Sequence, residues 1–339
     1  MKTLSHSFCT LIASLAVLGL LVSGTSGQEP KKGQDRAAAQ EKKKGQDRAA
    51  AREKKQGRGR APEGVEVERD VEYGKVGDVS LKLDIYRPTK SPEQPLPAVV
   101  WIHGGGWRMG SKDKHMPATA TGLVPHGYVV VSIDYRLRDP FPAAVEDSKC
   151  AVRWLRANAK KYGVDPDHIG VMGGSAGGNL ALMVGCVDEK AGMEGQGGHQ
   201  GVSSRVQAVC ALYPATDFTA GPVFKGGDAP HILAYLGGTL QEKPAVYKQA
   251  SPVTHVSKDD PPTLLIHGDH DETSPFEQSE SMLRLFKAAG VEATLIPVKN
   301  AGHVFRPVEG GKIEPTKDGI DRATFEFFDK HLKKRQAPR

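Results

Sequence analysis

Asparagine is almost missing from this 339-residue chain: it occurs only at 158, 179 and 300, and none of the three is followed by x-Ser/Thr. The sequence therefore offers no N-glycosylation acceptor. Cysteine is scarce as well, with four in all. Cys9 stands in the leader discussed below, while Cys150, Cys186 and Cys210 each sit in an apolar stretch, an odd set with no CxxC spacing. That excludes a disulfide framework, and buried thiols are expected. Long apolar runs are lacking too, since Phe8–Val22 falls short of the ~20 residues that a membrane span needs. Strong charge is absent from most of the chain. The formal net charge is +6, yet Gln28–Arg60 alone holds 12 Lys/Arg against 5 Asp/Glu. Residues 61–339 hold 33 basic and 35 acidic side chains, a net of −2, so the body of the protein is not a nucleic-acid-binding core.

What is present begins with Lys2, the apolar run Phe8–Val22 and then Ser23, Gly24, Thr25, Ser26 and Gly27. This is the layout of a secretory signal peptide over residues 1–27, with cleavage after Gly24 or Gly27. No Cys follows to carry a lipid, so the expected product is secreted or periplasmic, with no stable membrane span. Next, Lys32–Ala39 (KGQDRAAA) recurs as Lys44–Ala51, and no Val, Ile, Leu or aromatic residue occurs between Gln28 and Pro62. Such a segment cannot bury enough apolar area to offset its chain entropy and reads as a basic tether over 28–62. Its charge allows weak contact with an anionic polymer, although a plain solvated spacer is the simpler reading.

The remaining domain, expected over 63–335, alternates strand and helix. Val79, Leu81, Leu83 and Ile85 alternate with polar residues, and with Val65–Tyr73 they suggest an edge hairpin joined by Gly74–Asp78. Ala98–Ile102, Tyr128–Ile133, Ile169–Met172, Val206–Leu212, Thr263–Ile266 and Thr294–Val298 are short runs suited to strands covered on both faces. Between them, Ala144, Val145, Ser148, Ala151, Val152 and Leu155 share a helical face, as do Met282, Leu283, Leu285 and Phe286, and a helix is expected over Asn179–Val187. The fold class is α/β: a mostly parallel sheet of about eight strands flanked by helices. Ligands of such sheets bind at the carboxyl ends of the strands.

Four of those ends carry chemistry. His103-Gly104-Gly105-Gly106-Trp107 follows one strand, and its glycines can turn backbone N–H groups toward a developing oxyanion. Gly173-Gly174-Ser175-Ala176-Gly177 follows another and leads into a helix. This is G-x-S-x-G in the strand–turn–helix context that the motif requires. Neither G-x-x-x-x-G-K-[ST] nor G-x-G-x-x-G is completed there, so a phosphate cradle is not indicated. His267-Gly268-Asp269-His270-Asp271-Glu272 follows a third. It could be read as a metal cluster, but no second group stands at matching spacing. A carboxylate on this loop, followed by His303 after Gly302, gives the chain order Ser…Asp…His.

At these residues the sequence resembles the α/β-hydrolase fold, and more closely the bacterial secreted esterases of the hormone-sensitive-lipase-like and bifunctional feruloyl-esterase-like (BD-FAE-like) groups. The matching stretches are VVWIHGGGWRMGSK (99–112), VVSIDYRL (130–137), 141–181 around GGSAGG, SSRVQAV (203–209), PTLLIHGDHDETSP (262–275) and AGHVF (301–305). The resemblance implies Ser175 as nucleophile, His303 as general base and acid, and Asp271 as the carboxylate that orients it, with Asp269 the alternative acid. It implies Gly105, Gly106 and Ala176 as oxyanion donors, and neither cofactor nor metal. Asp134 and Tyr135 are expected to be structural, Glu146-Asp147 a solvated or capping pair, and Trp107 either a wall of the acyl pocket or a packing residue under the loop. The tether cannot form the helical cap of the lipase-like group. The insertions Asp188–Ser204 and Phe218–His255, the latter with one helix near His231–Leu236, leave the site open, with no large cap domain. The expected activity is hydrolysis of small-molecule or polysaccharide esters, short-acyl or carbohydrate-linked (acetyl or feruloyl type), through an acyl-enzyme. An amide hydrolase of the same fold, of aryl-formamidase or acyl-peptidase type, and an inactive hydrolase-fold binding protein are the alternatives.

Overall fold

The computed structural model describes residues 61, 63–90, 93–113, 116–220, 229–308 and 310–334. The leader expected at 1–27, and the 28–62 tether apart from Ala61, lie outside them. Eight strands form one sheet in the order β1-β2-β4-β3-β5-β6-β7-β8: β1 (Val65–Val76), β2 (Val79–Pro88), β3 (Leu96–Ile102), β4 (Val129–Ile133), β5 (Val164–Gly174), β6 (Ala208–Leu212), β7 (Thr263–Gly268) and β8 (Ala293–Val298). β2 runs antiparallel to β1 and β4, and every other pairing is parallel. The edge hairpin is longer than expected. Val76 pairs with Val79, so only Gly77-Asp78 forms the link, with Gly77 at φ +56° where a side chain would be strained.

Alternate residues of the strands feed two cores, one on each face of the sheet. Val100, Ile102, Val171 and Leu265 pack with helices α2 (Ala143–Ala157), α4 (Ala176–Cys186) and α7 (Glu277–Ala288). Val99, Trp101, Met172 and Ile266 pack on the other face with α1 (Ala118–Gly122) and the C-terminal α8 (Lys317–Leu332). The sequence reading did not single out α8. Its buried Ile320, Phe328 and Leu332 supply the layer that makes β3 to β7 bury both faces. The named face of α2 is buried throughout. Of the four apolar residues named on α7 only Met282 and Phe286 are buried, in a row with Gln278 at steps of four, and Leu285 lies beside that row and is 40 % exposed. The other helices are α3 (Ala159–Tyr162), α5 (Pro230–Leu236) and α6 (Pro244–Ala250), α5 lying where the 218–255 insertion was expected to carry one. None among the described residues is long and apolar enough to cross a membrane.

Buried ion pairs fasten the loops to this frame. Glu146-Asp147 is not a solvated pair. Arg136 donates to Asp147 from its backbone N (2.8 Å), from Nε (2.9 Å) and from Nη2 (2.8 Å), and Asp147 is buried, while Glu146 takes a further bond at 3.1 Å. A carboxylate on the core side of α2 needs such a cation, and this one comes from the loop after β4. The 188–204 insertion is held the same way: buried Lys149 and Arg153 of α2 both donate to Glu194, which Ser204 Oγ also bonds. Burial pushes the Glu194 carboxyl up, but the bonds from Lys149 and Ser204 and the nearby cations bring it below its ordinary value.

Glu194→Ala would strand two buried cations and is expected to cost about 3 kcal/mol. A depressed folded pKa means that the contribution is complete above the unfolded value of about 4.3 and is lost as pH falls through the folded one. Urea midpoints of wild type and variant should therefore differ most near neutral pH and converge in acid.

Candidate active site

The order β4-β3-β5 marks the point where the chain stops adding strands on one side and starts on the other, so the loops leaving β3 and β5 diverge and open a crevice. Ser175 stands at the end of β5 with φ +56° and ψ −120°. A non-glycine residue there carries strain of order 1–3 kcal/mol and persists only if its surroundings hold it. They do: its N–H donates to Leu212 O (2.9 Å) and its carbonyl accepts from Asn179 N (3.0 Å). The turn is so tight that α4 begins at Ala176, three residues ahead of the expected Asn179. A Cβ on Gly173 would lie 2.1 Å from Gly177 O, and one on Gly177 would lie 2.1 Å from Ile102 O.

Ser175, His303 and Asp271 form one hydrogen-bonded row. Ser175 Oγ lies 3.0 Å from His303 Nε2, and His303 Nδ1 lies 2.7 Å from Asp271 Oδ2. With the hydroxyl donating to Nε2, the carboxylate receives the Nδ1–H. Asp271 Oδ1 accepts from the backbone N–H groups of Thr273 and Ser274, both at 2.8 Å. Burial raises the Asp271 carboxyl, but bonds from His267 and His303, the charge of His303 and the Ser274 N–H outweigh it and hold the group far below the usual carboxylate range. Behind it, buried His267 bonds Ser279 Oγ and Ser274 O, each at 2.7 Å, which fixes the 271–274 turn against α7. Asp269 faces elsewhere. It pairs with the exposed His270 (2.6 Å) and accepts from Ala301 N, and is not the aspartate bonded to His303. The acid and imidazole groups of 267–272 thus split between core and surface, and among the described residues no cluster of three or more could hold a metal.

Gly105 (φ +119°) and Gly106 (φ +59°) curl the loop after β3 so that they face Ser175 and Ala176 across a cavity of 450 Å³. The DYRL stretch carries the loop from below. Tyr135 stacks on buried His103 at 4.4 Å and donates to its carbonyl (3.1 Å), and His103 Nδ1 donates to Gly104 O (2.7 Å). Asp134 accepts from Lys112 N at 2.8 Å. Trp107 takes both of its expected parts, lining the cavity while lying buried against Tyr235 at 4.3 Å. Sequence reasoning missed Tyr213, which meets the His303 ring edge-on at 4.9 Å, and His231 of α5, whose ring packs against Gly106. Neither lies in a motif. Only the position of Tyr213 at the end of β6 could have signalled it.

An eight-stranded sheet of this order, with a serine on the strained turn after β5 and a histidine and an acid from the ends of β8 and β7, defines the α/β-hydrolase class. Residues 83–285, more than half of the chain, match the family model described as BD-FAE, and the chain belongs to that family. Esterase LipC of Mycobacterium tuberculosis is 31 % identical over 74 % of this chain, which spans 63 % of LipC, so somewhat less than two thirds of that relative is represented. Among solved structures, a truncated carbohydrate esterase from gut microbiota matches with a TM-score of 0.68 and 28 % identity, covering 79 % of this chain and 97 % of its own. Butyrate-bound esterase 2 of Thermogutta terrifontis matches with a TM-score of 0.61 and 29 % identity, covering 79 % and 93 %.

Gly177→Ala should push its new methyl into Ile102 O and displace the loop that follows. A loss of about 1–3 kcal/mol, read as a lowered thermal midpoint, is the expected outcome.

Proposed function

We propose that the protein is an exported serine carboxylesterase that hydrolyses short-acyl or carbohydrate-linked esters through an acyl-enzyme. The observation that carries this reading is the continuous row Ser175–His303–Asp271 beside the Gly105–Gly106 loop. In it, His303 Nε2 takes the Ser175 proton as Oγ attacks the ester carbonyl. Asp271 keeps the imidazole in the tautomer that can accept it and stabilises the imidazolium. The negative oxygen of the tetrahedral intermediate is met by backbone N–H groups of Gly105, Gly106 and Ala176, with the dipole of the α4 N-terminus adding to the field. His303 returns the proton to the departing alcohol. Water then repeats the sequence on the acyl-Ser175, releasing the acid and restoring the hydroxyl.

Substrate size is argued from the cavity and the relatives. At 450 Å³ it lies near the low end of the ~300–1,000 Å³ range of small-molecule sites. Butyrate occupies the Thermogutta relative, and the gut-microbiota relative is a carbohydrate esterase. Export rests on the sequence of residues 1–27, with the basic 28–62 segment read as a solvated spacer. An N-terminus after Gly24 or Gly27 on protein recovered outside the cytoplasm would bear this out.

Hydrolysis of p-nitrophenyl acetate, butyrate and decanoate tests the rest. Rates should fall toward decanoate, and Ser175→Ala should lose on the order of 10⁶ in kcat. Asp271→Asn should lose on the order of 10⁴, whereas Asp269→Asn should stay within a few-fold of wild type. A preference for decanoate would overturn the short-acyl assignment, and an active Ser175→Ala would overturn the mechanism.

A further inference from the structure

The cavity in front of Ser175 does not end at the glycine loop. A second cavity of 370 Å³ adjoins it and shares Gly106, Trp107, Arg108, Met109 and His231 as a common rim. Arg138, Asp139 and α5 close its far side. We propose that this second cavity is a subsite for a carboxylate carried by the substrate beyond the scissile ester, as in an esterified uronate, gripped by the guanidinium groups of Arg108 and Arg138. The assignment rests on the esterase reading and adds to it the charge of the substrate.

Four observations carry it. First, both arginines are exposed, and among the described residues neither forms an ion pair. Arg69, Arg87, Arg136 and Arg153 have carboxylate partners, whereas Arg156, Arg205, Arg284, Arg306 and Arg322 have none among the described residues, so what distinguishes this pair is that both line one cavity beside the glycine loop. Second, the pair is fixed to the glycine loop. Arg138 N donates to Trp107 O (2.9 Å) and Arg138 Nε reaches Arg108 O (3.5 Å). Third, Arg138 holds φ +67° although it is not glycine, a conformation that survives only where the surroundings impose it. Fourth, the positive field does not reflect general basicity, because residues 61–339 carry a net charge of −2. The field reaches the shared rim: burial and then the Arg108 charge lower the pKa of His231. Asp139, the one carboxylate among the described residues that line the cavity, lies 3.8 Å from Arg136, whose charge offsets its field, and it can accept from a sugar hydroxyl. Planar forks match a carboxylate in two-point fashion, which neutral sugars do not offer.

The test compares a mono-O-acetylated methyl glucosiduronate with its neutral uronamide, two substrates that differ at the carboxyl and share the scissile acetate as their one ester. Wild type should favour the free acid in kcat/KM by about three- to tenfold, the modest size reflecting exposed groups. The preference should shrink in about 0.5 M salt. Arg108→Gln and Arg138→Gln should each bring the ratio toward one, and Arg108→Lys should keep part of it. The same two sugars without the acetyl group, titrated into Ser175→Ala, should show the same order of affinity in the absence of turnover. A ratio of one in wild type, or an unchanged ratio in both glutamine variants, overturns the subsite. Failure of folded wild type to hydrolyse p-nitrophenyl acetate instead overturns the esterase reading beneath it.

Discussion

The site depends on one close approach of backbone to backbone, where the first turn of α4 meets the end of β3. Ile102 O occupies the space that a Cβ of Gly177 would need, and Gly177 O fills that of Gly173. Because helix and strands touch there without side chains between them, Ser175 is forced into its left-handed conformation and its hydroxyl is lifted clear of the sheet. The same contact sets the distance between the serine turn and the glycine loop, since β3 and β5 are neighbours in register from Ala98↔Ile169 to Ile102↔Gly173. The imidazole and the acid then need only extend from the ends of β8 and β7 across the top of the sheet.

Around this dry junction the protein uses charge to anchor what the strands leave free. Buried Lys112, just past the glycine loop, reaches Asp84 of β2 (2.7 Å) and Asp70 of β1 (2.8 Å), so the loop is tied to the edge hairpin. Arg136 does the same between the DYRL stretch and α2, and Glu194 between α2 and the glycine-rich insertion. Each pair gives up hydration of its charges, and an apolar contact of equal size could be as stable. What a bonded pair adds is direction: a loop can meet it in one orientation and not in a neighbouring one.

What could be read from the sequence was what is local in it. Apolar runs and their spacing marked the strands and the α2 face, and the glycines at 104–106 and 173–178 marked the two loops, because steric demand is written into the residue type itself. Asp147 was misread because its cation is eleven residues away on another loop, and nothing in a helical period distinguishes a solvated acid from a paired one. Leu285 was misplaced for a related reason, since one apolar residue more than the stripe requires looks the same in sequence as one within it. The choice between Asp269 and Asp271 needed the path of the turn after β7, which the backbone N–H groups of Thr273 and Ser274 define. Tyr213, His231, Arg108 and Arg138 come from four separate loops or helices, and only the topology brings them to one opening.

The three cysteines of the described residues have a bearing on how the fold meets oxidants. All are buried and unpaired, and burial raises every thiol pKa, that of Cys210 to about 12. The thiolate is the form that exchanges with disulfides and meets oxidants, and here it is both rare and out of reach. Among the described residues the fold therefore has no disulfide to form or to lose when the surrounding redox potential changes.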